Sequence, residues 1–347
     1  MATLASGHTA SALEGEELAK LLENFPNYKD GLIRFSPDGW VFTKAFCKFA
    51  DKLYNFEFRE GDVLVMTWPK CGTTWTQEIV WTMRNNPDLN NPEADVAIMD
   101  RVPFMEGDMF SPPEDPSGEN SMPLSETFKK LCPNANPRDG VCLQMAQATP
   151  DPRTLKTHLP FSLFAAPVLD KVKVVYVARN PKDTVLSYLH HHKLFKAQSF
   201  VGSLEAFVDY FLEDDLIYGP YWLHLKEAWQ RRDHPNLHFV FYEDLKADIT
   251  GELKKLDAFL GTGLSGDQLA NVAKHTSFGE MKSRNNLFIN KDIFKHEEVV
   301  DQEVLKRDGG FFRQGKSGDW KAKLTPELIE KMDKWINEKC DFGISFK

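Results

Sequence analysis

Long apolar runs are missing from this chain. Nothing approaches the roughly 18 consecutive apolar residues that a membrane-spanning helix needs. The first twenty residues are small, polar and acidic, without the apolar stretch of a secretory signal. A cytoplasmic protein with no membrane contact is therefore expected. Cysteine is scarce too: Cys47, Cys71, Cys132, Cys142 and Cys340 are odd in number, widely spaced and free of any C-x-x-C pair. That usage disfavours a disulfide framework and suggests no metal site. Positive charge is in deficit, with 42 Lys and Arg against 51 Asp and Glu and a net charge of −9. Duplex nucleic acid and anionic membranes are thereby disfavoured as partners. Repeats and low-complexity tracts are absent as well. An acidic chain that binds an anion must gather its basic groups in one place.

One such place is Thr67-Trp68-Pro69-Lys70-Cys71-Gly72-Thr73-Thr74-Trp75. It follows the all-apolar run Val63–Met66 and precedes residues with helical spacing, the pattern of a buried parallel strand feeding a tight turn into a helix. Such a turn points backbone N–H groups and the positive end of a helix at an anion, and Lys70 adds a mobile charge. The motif differs from the nucleoside triphosphate loop G-x-x-x-x-G-K-[ST], whose hydroxyl after the lysine holds magnesium. Here Lys70 precedes the single glycine, and Pro69 stands where a flexible residue is expected. A packing corner whose glycine merely permits close approach is the alternative. Cys71 is either a small filler or, at a helix N-terminus that lowers thiol pKa values, an alkylation-sensitive group.

A second strand-like run, Val172–Ala178, turns through Arg179-Asn180-Pro181-Lys182-Asp183 into a helix bearing Ser187. Proline in the first turn and Asp183 after it suit a helix start. Arg179 falls where open α/β sheets bind ligands, and its fork grips phosphates bidentately. An interior arginine paired with a carboxylate is the alternative. Between the two lies Leu155-Lys156-Thr157-His158-Leu159-Pro160, in which Lys156 and His158 alternate and so share a face. His190-His191-His192 does not form a metal site, since consecutive helical positions point about 100° apart. Strand-like runs at Val63–Met66, Leu155–Thr157, Val172–Ala178 and Leu237–Tyr242 alternate with helical stretches such as Leu204–Leu212 and Trp222–Trp229. That order predicts a single α/β domain, a mostly parallel sheet flanked by helices.

These segments, with Val240-Phe241-Tyr242-Glu243-Asp244, His275-Thr276-Ser277-Phe278-Gly279-Glu280-Met281 and Phe311-Phe312-Arg313-Gln314-Gly315-Lys316-Ser317-Gly318-Asp319-Trp320-Lys321, resemble the cytosolic sulfotransferases in chain order from about Phe46 onward. The resemblance implies 3′-phosphoadenosine 5′-phosphosulfate (PAPS) as sulfuryl donor and adenosine 3′,5′-bisphosphate (PAP) as product, with no metal. Lys70, Cys71, Gly72, Thr73, Thr74 and Trp75 would hold the 5′-phosphosulfate. Arg179 and Ser187 would take the 3′-phosphate, which Phe311, Phe312, Arg313, Gln314 and Gly315 close over. Tyr242 would hold the adenosine, and Thr276, Ser277, Phe278, Gly279, Glu280 and Met281 the adenine side. His158 would be the general base, with Lys70, Lys156 and Ser187 completing the catalytic set. Phe46, Phe104, Lys156, His158 and His191 would line a pocket for a small apolar phenol, steroid or other alcohol.

The chain also departs from the family pattern. Residues 107–153, rich in proline and glycine, are longer than in typical relatives and are expected to be a lid or irregular insertion. An insect branch of the family, retinol dehydratase, is similar in its enlarged lid, which raises an allylic alcohol losing water through a transient sulfate. A kinase or NTPase and a non-catalytic carrier are further alternatives. Residues 1–40 are expected to pack on or near a sulfotransferase domain spanning 41–347. In the K-x-x-x-T-V-x-x-x-E dimer motif, Pro326 replaces valine, so a monomer or weak homodimer is expected. Thr325 and Pro326 instead suit the N-cap and first turn of a helix. Gln314 replaces a basic residue expected at the 3′-phosphate.

Overall fold

The computed structural model describes residues 2–110, 124–165, 168–288 and 299–346. The N-terminal segment is more than an appendage. Strands β1 (Ala2–Thr3), β2 (Thr9–Ala12), β3 (Leu32–Ser36) and β4 (Trp40–Thr43) pair antiparallel in that order, with helix α1 (Gly15–Asn24) between β2 and β3. The 40/41 boundary thus falls inside β4. Phe35, Trp40 and Phe42 are fully buried in the same apolar cluster as Leu64 and Met66 of the main sheet.

That main sheet has four parallel strands, β5 (Val63–Thr67), β6 (Thr154–Thr157), β7 (Lys173–Ala178) and β8 (Leu237–Phe241), in the order β6-β5-β7-β8. Every residue of β5 is buried, as a parallel strand covered on both faces requires. Val63 and Val65 face Ile79 and Val80 of α2 (Thr73–Asn85) together with Val175 and Val177. Leu64 and Met66 face the other way, with Leu155, Val174 and Tyr176. A buried pair, Asp62 with Arg153 at 2.8 Å, ties the starts of β5 and β6 together. Their far ends are brought level by pairing Met66 with Thr157 and Thr67 with Val177.

The segment read as a lid is partly helical. Helices α3 (Glu126–Leu131) and α4 (Val141–Ala148) flank a short turn, and Asp108 caps α4 from outside by accepting from the Cys142 and Leu143 N–H groups at 3.0 and 2.9 Å. Pro112–Gly118 lie outside the described residues. Helices α5 (Pro181–Leu194), α6 (Leu204–Leu212) and α7 (Tyr221–Trp229) follow β7, and α8 (Gly266–His275) and α9 (Phe278–Ser283) follow β8. In α10 (Pro326–Lys339) the Thr325 hydroxyl accepts from the Leu328 N–H, matching the expected cap, and Leu328, Met332 and Trp335 are buried.

Phe35→Ala is expected to cost about 3–5 kcal/mol of unfolding free energy. Denaturant unfolding followed by fluorescence and far-UV circular dichroism should then show one coincident transition at lower denaturant. Two separated transitions would mean that the N-terminal sheet folds as an independent unit.

Candidate active site

The strand ends build the site. Past Thr67 the Trp68 indole N–H donates to the Tyr218 carbonyl at 3.0 Å, Lys70 turns with φ +67° and Gly72 with φ +103°. Gly72 is the N-cap of α2 and offers no side-chain cap, so the first-turn N–H groups of Thr73, Thr74 and Trp75 face outward for an anion. Glycine is required here: a Cβ would lie 2.7 Å from the Tyr242 ring. Tyr242 in turn packs edge-on to Trp75 and carries the Arg179 guanidinium 4.4 Å above its ring. Arg179 donates to the Lys70 carbonyl at 2.9 Å and the Lys316 carbonyl at 3.1 Å, while its buried Nε–H has no partner. The interior ion pair considered for Arg179 is therefore not what holds it. The alkylation reading of Cys71 is overturned: its thiol is buried and burial pushes its pKa up to about 12.

The Lys70 ammonium lies 4.4 Å over the Phe311 ring and makes no hydrogen bond to Ser187, which sits on α5. Burial, then Lys156, Arg179 and Arg313, pull its pKa down to about 7. Lys156 stands 3.6 Å over the Phe104 ring and its pKa is lowered by burial.

His158 follows the end of β6. Its Nδ1 is 2.8 Å from the Thr67 carbonyl; a carbonyl only accepts, so Nδ1 carries the proton and Nε2 the lone pair. Burial, with Lys156 beside it, holds the imidazolium form well below the ordinary histidine range. The peptide of His158 is gripped on both sides. Its N–H donates to Glu106 at 2.5 Å, and its carbonyl accepts from His224 Nε2 at 3.0 Å. Glu106 is not among the residues expected from the sequence, although its place two residues after the pocket residue Phe104 was a usable signal. Tyr218 (φ +69°), whose ring is 5.3 Å from His158, had none. Its N–H donates to the Val41 carbonyl of β4 at 2.8 Å, and the Val41 N–H donates to the Gly219 carbonyl at 3.0 Å.

The remaining expected residues divide. The closing motif reaches the site: Asp183 accepts from the Gly318 and Trp320 N–H groups at 2.6 and 3.2 Å, and a Cβ at Gly315 would strike Phe278. The Gln314 amide nitrogen donates to Asp319, whose carboxylate also lies 3.6 Å from Arg313. His191 is half-buried, 4.6 Å from Phe195, and burial first, then the charges of Lys70 and Lys156, oppose its protonation. By contrast, Thr276 is fully buried with its hydroxyl returned to the Val272 carbonyl, Ser277 caps α9, and Gly279 and Glu280 are exposed. Met281 belongs to a core cluster with Trp81 and Val102, and Phe46 is enclosed between Phe35 and Phe42.

A profile of the Sulfotransferase domain matches residues 60–342. The chain belongs to the sulfotransferase family. It is 35% identical over 309 residues to sulfotransferase 1A1 of Rattus norvegicus, covering 88% of this chain and 94% of the relative. It is 32% identical over 304 residues to luciferin sulfotransferase of Photinus pyralis, covering 87% and 77%. Among solved structures, retinol dehydratase in a complex with retinol and PAP superposes with a TM-score of 0.83 at 28% identity, over 98% of this chain and 99% of that one. The protein is a sulfotransferase enzyme, and no described helix is long and apolar enough to cross a membrane.

Gly72→Ala in this sulfotransferase should lower unfolding free energy by about 1–3 kcal/mol, because the new Cβ meets Tyr242 in a left-handed turn. Denaturant titration checks it; a change within about 0.5 kcal/mol, typical of surface sites, would show an unstrained turn.

Proposed function

We propose that the chain transfers the sulfuryl group of PAPS to the hydroxyl of a small apolar acceptor, with His158 as general base. The observation that carries this is the Nδ1–H of His158 committed to the Thr67 carbonyl, which leaves a neutral ring with Nε2 free to take a proton. The residues suit the donor: an uncapped helix start at Gly72, an unpartnered Arg179 Nε–H and a crowd of cations await a polyanion. When bound, PAPS supplies an activated sulfuryl group on a good leaving group. The chain's own residues do the rest. His158 removes the acceptor proton in the transition state. Lys70, at the loop, meets charge developing on the oxygen that departs, and Lys156 meets the equatorial oxygens of the group in flight. Arg179, Arg313 and the first-turn N–H groups hold the nucleotide.

Aromatic groups support an apolar acceptor. Phe104 lies 5.4 Å from the His158 ring, with Phe110 6.4 Å beyond it and 6.5 Å from Tyr218. A second reading is favoured by the TM-score of 0.83 to retinol dehydratase over nearly the full length of both chains: an allylic alcohol sulfated at the same site and then losing sulfate as an alkene forms. Product analysis with an allylic alcohol separates the two, since a stable sulfate ester supports the first reading and a dehydrated hydrocarbon the second.

PAP should raise the melting temperature where AMP and magnesium-ATP do not. His158→Ala should lower turnover by roughly 10²–10⁴-fold while PAP binding stays at the wild-type level; lost PAP binding would remove the base role.

The depressed lysine makes binding proton-linked. Lys70, with a pKa of about 7, is mostly neutral at pH 8, and a bound polyanion raises that value. Calorimetry at pH 8 in buffers of different ionisation enthalpy should therefore show proton uptake with PAP, and affinity should weaken as pH rises. Proton release would contradict the charge arrangement.

A further inference from the structure

We propose that Glu106 is the positioning residue of the base, and that its ionisation, rather than that of His158, sets the acidic limb of turnover. Its carboxylate collects three donors. Oε1 accepts the His158 N–H at 2.5 Å and the Tyr218 hydroxyl at 3.4 Å, and Oε2 accepts the Thr157 hydroxyl at 2.8 Å. The segment that carries Glu106 meets β6 in a single parallel bridge, Phe104 opposite Lys156, with the Lys156 N–H donating to the Pro103 carbonyl and the Met105 N–H to the Lys156 carbonyl. One ionised side chain thus fixes the end of β6, the peptide of His158 and the ring of Tyr218 that packs against the imidazole.

Both oxygens face donors. Protonation removes the charge that strengthens these three bonds, among them the bond from the Thr157 hydroxyl, which is itself held by the Leu159 N–H at 3.0 Å. Protonation therefore loosens the clamp. The groups facing Glu106 are Lys156, which favours the ionised form, and the Tyr218 phenol, the His158 ring and the Cys142 thiol, all of which burial keeps neutral. Burial raises the Glu106 carboxyl to about 7 against the pull of its hydrogen bonds and Lys156. His158 is held far below that range, so it is already an unprotonated base wherever Glu106 titrates. The acid limb near neutrality then belongs to the clamp.

The inference rests on His158 being the base, and the test separates the two. The measurement is kcat against pH, from about pH 5.5 to about pH 9, at saturating PAPS and a phenol acceptor, with PAP affinity by calorimetry. Wild type, Glu106→Gln, Glu106→Asp and His158→Ala are compared. Wild-type kcat should fall below an apparent pKa near 7. Glu106→Gln should lose roughly ten- to a hundredfold in kcat through misplacement of the base, lose the acid limb and bind PAP as wild type does. Glu106→Asp, shorter but ionisable, should keep the limb with an intermediate kcat. A glutamine variant with the wild-type limb overturns the proposal, as does one whose PAP affinity falls in step with kcat. If the glutamine variant does not fold, a wild-type limb centred well below neutrality, or an aspartate variant with wild-type kcat, overturns it. Turnover that survives His158→Ala overturns the base reading itself.

Discussion

Four cations, Lys70, Lys156, Arg179 and Arg313, are crowded at the end of one parallel sheet without a carboxylate for each. Arg313 shares Asp319 with Gln314, Lys156 has Glu106 near it, and Arg179 spends its donors on two carbonyls. The fold imposes this crowding. The order β6-β5-β7 with level registers sets Lys156, Lys70 and Arg179 at three adjacent strand ends. Burial first, and their mutual repulsion after it, lower the pKa of Lys70. A polyanion relieves it, so nucleotide binding draws on energy that packing of the core has already committed.

The same strand ends solve the problem of holding a neutral imidazole among cations. Thr67, last residue of β5, gives its carbonyl to His158 Nδ1, and two residues later its strand has become the anion loop. Base and loop are therefore coupled through one peptide group. Lys156 opposes protonation of His158 electrostatically, and desolvation does so more strongly. In the proposed reaction a base this weak becomes effective as the acceptor's hydroxyl oxygen bonds to the incoming sulfur, which makes its proton acidic enough for Nε2 to take.

The strand, turn and helix geometry at the two loops was legible in the sequence because its signals are local. An apolar run followed by Pro69-Lys70-Cys71-Gly72 fixes a strand, a turn and a helix within a dozen residues, and the same holds at Arg179 through Asp183. The four parallel strands and the cap at Thr325 follow from the same short-range rules. What was not legible depends on long-range contact. Glu106 works through a strand pairing about fifty residues away in sequence, Tyr218 through Val41 of β4, and His224 through the carbonyl of His158. The N-terminal antiparallel sheet was missed because its strands are short and its polar alternation resembles a loose extension. Thr276 and Met281 follow the family motif, yet their side chains are spent inside the helix and the core.

This division explains why the reaction class is easier to read than the acceptor. In the proposed reading the donor would be recognised by backbone N–H groups and cations at strand ends, which the motifs encode directly. In the proposed reading the acceptor side would be assembled from Phe104 beside β6, Tyr218 bonded to the N-terminal sheet, His191 on α5 and a segment whose helix α4 is capped by Asp108. Each of these contacts joins residues far apart in the chain, and none has a spacing of its own. Substitutions in the N-terminal sheet can reach the acceptor through Val41 and Tyr218 without touching the donor loop. Acceptor preference is therefore free to vary on a scaffold whose sulfuryl chemistry stays fixed.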